Sequence, residues 1–116
     1  MSKPQTPKEI YHILNSRYFR SKLPDIPVGW SAASCTGKHR RMIGGTEFKK
    51  IDGVLKPTRI MLNPKYKTCF VLWVGTLIHE MVHVEQWKLP RKQAHGRKFE
   101  KRIRQLVSLG AYKGLL

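Results

Sequence analysis

Residues 70–87 read FVLWVGTLIHEMVHVEQW, an apolar stretch broken in mid-course by two histidines and a glutamate. Leu72, Leu77, Ile78, Met81, Val82 and Val84 give a helix here apolar surface nearly all round, and a helix of that kind is buried. Within it, His79-Glu80-Met81-Val82-His83 sets two imidazoles at i and i+4, one turn apart on one face. Together they can bind one metal ion, while Glu80 reaches the water that such an ion activates. Three such groups on a buried helix are costly unless something pairs them. Zinc would pair them, so the pentapeptide marks a candidate metallopeptidase.

The rest of the chain supplies the frame. Its 116 residues suit one compact domain, 1–116, with a modest core. Hydrophobic content of 41% and charged content of 26% are ordinary for a globular protein. The charge balance is not: 23 Lys+Arg against 7 Asp+Glu leave a net charge of +16, which points to a polyanion partner, nucleic acid before membrane. No run approaches the ~18 apolar residues of a membrane span. The opening Met1-Ser2-Lys3-Pro4-Gln5-Thr6-Pro7 has no apolar signal core, which argues against secretion. Cys35 and Cys69, 34 positions apart, read as free thiols of a reducing cytoplasm and are too few for a four-cysteine zinc ribbon.

Before the central stretch, Thr6-Pro7-Lys8-Glu9 is a helix start: Thr6 caps, Pro7 fits the first turn and Glu9 completes a capping box. Ile10, Ile13, Leu14 and Tyr18 follow at helical spacing, and the helix stops before Leu23-Pro24-Asp25-Ile26-Pro27. Short strands are expected at Val28–Ser31, Arg41–Phe48 and Thr58–Leu62, with an Asp52-Gly53 turn between the last two. Gly44-Gly45 signals a bulge or a close backbone approach. The central helix spans Phe70–Trp87 and ends at Leu89-Pro90. A last helix covers about Gly96–Leu109, with Phe99, Ile103, Leu106 and Val107 on one stripe and Gly110 as its cap. This order, an N-terminal helix, a small three- or four-stranded sheet, then two helices, is α+β.

A catalytic zinc needs a third protein ligand and keeps a fourth position open. His95 and Glu100 compete. His95 is preferred, because a loop position beside Gly96 can swing an imidazole onto the metal while Phe99 anchors the helix below. Glu100 reads as a solvated partner for nearby cations. His12, on the first helix, and His39, in Lys38-His39-Arg40-Arg41, read as surface residues. Glu85 is either an orienting partner one turn below His83 or a plain surface carboxylate. With the ligands in place, Glu80 is the general base.

At these residues the chain resembles the SprT-like (Spartan-type) metalloproteases. Leu14-Asn15-Ser16-Arg17-Tyr18-Phe19 with Leu23-Pro24 is similar to that family's opening, Trp30-Ser31 to its first strand, and Arg59-Ile60-Met61-Leu62-Asn63 to a later one. Thr76–His83 resembles its active helix, and His95-Gly96-Arg97-Lys98-Phe99 the element that supplies its third histidine. The resemblance covers roughly residues 10–107. It implies a zincin-like α+β fold, with His79, His83 and His95 as zinc ligands and Glu80 as the catalytic carboxylate. It also implies cleavage of proteins associated with or crosslinked to DNA. The C-terminal zinc ribbon of many relatives has no counterpart before Leu116.

The basic surface can stand in for such a module. Lys88, Arg91, Lys92, Arg97, Lys98, Lys101, Arg102 and Arg104 flank His95, with Glu100 the sole acid among them. Lys38, Arg40, Arg41, Lys49 and Lys50 form a second cluster. Phosphate held there makes binding salt-sensitive and sequence-independent. Trp73 and Trp87 read as core before they read as base-stacking platforms. The leading expectation is a monomeric zinc endopeptidase acting on DNA-bound proteins, without membrane association. Two others compete: a catalytically silent, zinc-containing DNA-binding module, and a basic inhibitor or adaptor, viral in its economy of length. An intact Glu80 argues against the silent module.

Overall fold

A computed structural model describes residues 6–31, 42–90 and 93–112. Helix α1, Pro7–Tyr18, starts on the expected capping box: the Thr6 side chain accepts from the Glu9 amide and the Glu9 carboxylate accepts from the Thr6 amide, both at 3.2 Å. It buries Ile10, Tyr11 and Leu14, while Ile13 and Tyr18 pack at the margin. Past its end, Arg20 and Ser21 take positive φ and turn the chain back. Asn15 holds that return in register: its Oδ1 accepts from the Leu23 amide at 3.1 Å and its Nδ2 donates to the Leu23 carbonyl at 3.2 Å. The Tyr11 hydroxyl donates to the Pro24 carbonyl at 2.7 Å.

The extended segment then enters β1, Val28–Trp30, which pairs parallel with β3, Val54–Leu62; β2, Gly44–Ile51, pairs antiparallel with the other side of β3. The order β1-β3-β2 leaves β2 at an edge of the sheet among the described residues. Two expectations need correction. The second strand starts at Gly44 and runs to Ile51, and the third begins at Val54, not Thr58. The reason is the turn: Asp52 and Gly53 have φ of 54° and 79°, so a two-residue reversal lets pairing continue to Ile51 opposite Val54. The proposed Arg41 start lies outside the described residues.

At the glycine pair, Gly44 makes a close approach and there is no bulge. A Cβ at Gly44 would stand 2.8 Å from Leu62 Cδ2 and 3.1 Å from Thr76 Cγ2. The register shift falls between Glu47 and Phe48, where Phe48 faces Pro57 and Thr58 is the extra residue. Pro57 has no amide hydrogen to donate. The Thr58 hydroxyl donates to the Glu47 carbonyl at 3.2 Å there.

Helix α2, Phe70–Glu85, is the centre of the core, contributing Trp73, Val74, Leu77, Ile78, Met81, Val82 and Val84. It is shorter than Phe70–Trp87, since Gln86 is already its C-cap. Nor is it buried all round: Val71 and Leu72, in its first turn, are apolar yet exposed. Trp73 packs edge-on against Trp30 and Phe70, with centroids 5.2 and 5.3 Å away. That position makes it core and unavailable for stacking on bases.

Helix α3, Arg97–Ser108, buries Phe99 and Leu106 with Ile103 packed beside them, whereas Val107 points outward at 55% exposure. Gly110, at φ 84°, completes a Schellman ending in which the Ala111 amide donates to the Leu106 carbonyl and the Gly110 amide to Val107. Among the described residues the architecture is α+β, three α-helices about one three-stranded sheet. No described helix is long and apolar enough to cross a membrane.

Candidate metal centre

Helical geometry brings His79 and His83 side by side, ring centroids 4.9 Å apart. His95 arrives from the loop before α3. The chain turns tightly there, the Gln93 amide donating to the Pro90 carbonyl and the Gly96 amide to the Gln93 carbonyl. The His95 Nε2 stands 3.2 Å from that of His79 and 3.0 Å from that of His83, and the latter two are 3.2 Å apart. Phe99, in the first turn of α3, backs all three rings: it stacks on His83 at 4.7 Å and meets His79 and His95 at 4.8 and 5.1 Å.

This triangle fits a metal. A tetrahedral zinc with bonds of ~2.0–2.1 Å spaces its nitrogens about 3.4 Å apart, close to what is observed. The protonation arithmetic points the same way. An imidazole nitrogen either donates or accepts, so among three mutually close nitrogens at least one contact sets like against like. A single cation engages all three lone pairs. Burial, together with the neighbouring His95, lowers the His79 pKa. Burial, then His79 and His95, takes His83 down to about 4. Both therefore favour the neutral, metal-binding form at neutral pH. Among the described residues, His79, His83 and His95 are the group able to hold a metal ion.

Glu80 is buried at 8% exposure, on the wall of a cavity that His79, His83 and His95 also line. Its Oε1 accepts from the Thr46 hydroxyl at 2.8 Å. Burial pushes the carboxyl above the usual carboxylate range, and the Thr46 bond pulls part of the way back. Thr46 is the residue that sequence reasoning missed. Its signal was indirect: the bare Gly44 lets β2 settle against Leu62 and Thr76, which carries Thr46 to α2.

The remaining candidates separate. Glu100 is exposed and pairs with Arg104 at 3.6 Å, apart from the triangle. Glu85 receives Arg102 Nε at 2.9 Å. Arg102 also donates to Gln105 Oε1 at 2.8 Å and to the Tyr18 carbonyl at 2.6 Å, and lies 4.9 Å over the Phe19 ring. It thus binds three helices together instead of facing solvent. Lys88, Arg97, Lys98, Lys101 and Arg104 are exposed, as are Lys49 and Lys50. Trp87 is half-buried under the Lys88 ammonium, 5.5 Å from its ring centre. His12 is exposed on α1. Cys35, Lys38, His39, Arg40, Arg41, Arg91 and Lys92 lie outside the described residues; Cys69 is an exposed free thiol.

A protein-family model, that of the SprT-like family, matches residues 7–113, nearly the whole chain. No curated protein and no solved structure matches.

Proposed function

We propose, since the chain belongs to the SprT-like family, that it is a zinc-dependent endopeptidase acting on proteins bound or crosslinked to DNA. The observation that carries the reading is the pairing of a three-nitrogen triangle with a buried carboxylate in one cavity. Held by His79, His83 and His95, zinc would supply Lewis-acid polarisation of a carbonyl and of water. The chain's own residues do the rest. Glu80 accepts a proton from the attacking water and delivers it to the leaving amine. Thr46 occupies Oε1 and so leaves the second carboxylate oxygen for that proton. Phe99 fixes the three rings against rotation.

DNA association rests on charge. Lys88, Arg97, Lys98, Lys101 and Arg104 project from the segments on either side of His95, and a phosphate backbone held by them runs near the cavity. The partner is DNA of any sequence, in the cytoplasm, and the protein acts as a monomer. Metal analysis plus cleavage of a DNA-crosslinked protein, with and without DNA, tests the reading. Wild type should carry one zinc and cleave; Glu80→Gln should keep zinc and lose cleavage by at least ~10²-fold. Full activity in Glu80→Gln refutes the assignment. Zinc and DNA binding without cleavage by wild type would favour the silent module.

A further inference from the structure

The cavity that holds the histidines extends well past them, to about 910 Å³. That is the upper end of the ~300–1,000 Å³ usual for ligand sites. Part of its wall is apolar: Phe48, Val54 and Leu55 stand on the β2–β3 hairpin, and Trp87, Leu89 and Pro90 on the segment after α2. Folding does not account for them. None of the six belongs to the buried core, and Val54 is 45% exposed. In a chain of net charge +16, six apolar side chains facing one space beside a buried carboxylate mark a binding surface.

Continuity identifies the occupant. The apolar end and the histidine end are one cavity, so a ligand spanning it presents an apolar group and a reacting bond together. Gly45 and Thr46 of the edge strand β2 also line it, and an extended polypeptide can lie along such an edge. The Lys88 ammonium beside Trp87 sets a cation on the rim, which disfavours Lys or Arg entering.

We propose that this end is a side-chain seat for the substrate polypeptide, taking Leu, Met, Phe or Trp within two residues of the scissile bond. The inference rests on the peptidase reading and gives it a selectivity. Two measurements on the full chain separate the two. The zinc-loaded wild type, with duplex DNA, is given a random peptide library and its cleavage sites are read by mass spectrometry. Separately, Glu80→Gln is titrated by fluorescence anisotropy with two extended peptides that differ only in one central Leu or Ser.

Cleavage sites should be enriched roughly fivefold in large apolar residues, and the Leu peptide should bind about tenfold tighter, as burying one such side chain implies. Val54→Asp and Leu55→Asp, on the exposed hairpin, should each abolish the enrichment. Cleavage without apolar enrichment, or equal binding of the two peptides, overturns the seat and leaves the peptidase reading standing. No cleavage by wild type, with tighter binding of the Leu peptide to Glu80→Gln, removes the peptidase and supports the seat.

Discussion

The hydroxyl of Thr46 donates to the carboxylate of Glu80 at 2.8 Å, joining strand β2 to helix α2 across 34 residues of sequence. A hydrogen bond to a charged group contributes ~1.5–3 kcal/mol, so Thr46→Val should lower kcat by roughly 10- to 100-fold. Thr46→Ser should restore most of it, and zinc content should be unchanged in both. Because the bond pulls the Glu80 pKa down, its loss should also move the acid limb of the pH–rate profile upward. A Thr46→Val enzyme with an unshifted acid limb would assign Thr46 to packing alone.

The histidines give the metal-free protein an acid weakness. The His83 pKa is held down to about 4, so between pH ~6.5 and ~4 the unfolded chain takes up a proton there that the folded chain refuses. Stability of the metal-free protein should therefore fall as pH drops through that window. His79 is shifted the same way and adds to the fall. Urea midpoints of metal-free wild type and His83→Gln at several pH values test this; the variant should show the shallower slope. Added zinc should raise the midpoint near neutrality and lose its effect in acid, where protons compete for the ligands.

Phe99 has two roles that one substitution can separate. Phe99→Ala should cost ~3–5 kcal/mol of stability through the cavity it leaves. Phe99→Leu should cost much less, yet weaken zinc about tenfold, because the ring that backs all three imidazoles is gone. Competition with a chelator, read beside a denaturation curve, distinguishes the two losses.

Arg102 and Lys98 share a basic run but should behave oppositely. Arg102 binds Glu85, Gln105 and the Tyr18 carbonyl, so Arg102→Ala should lower stability by ~1.5–3 kcal/mol and leave the salt dependence of DNA binding alone. Exposed Lys98 should show the reverse: Lys98→Ala should fold normally and reduce the log K against log salt slope by about one. Equal slopes for wild type and Lys98→Ala would remove that cation from the interface.

What the sequence revealed was local. The Thr6 capping box, the Asp52-Gly53 reversal and the central helix each depend on residues a few positions apart, and each stands where it was expected, save that the helix ends at Glu85. Strand lengths were less legible, because a two-residue turn extends pairing to residues whose own alternation is weak, such as Lys49 and Lys50. The site was legible along its helix, where i and i+4 spacing speaks for itself, and at His95 through its glycine neighbour. Thr46 was not, since a threonine in a strand carries no mark of the carboxylate it will meet. Within the run from Lys88 to Arg104, composition cannot distinguish Arg102 from its neighbours. Only the arrival of Tyr18, 84 residues earlier in the chain, makes that distinction.

Helix α3 fully buries only Phe99 and Leu106, while Phe99 lies against the rings of His79 and His83 on α2. A cation shared by His79, His83 and His95 would therefore act as a clasp between the second helix and the third, closing a loop that little apolar surface holds shut. Removing it should release the C-terminal helix first, as a partial opening well below global unfolding. Metal supply would then set how much of the chain is folded as well as whether it is active.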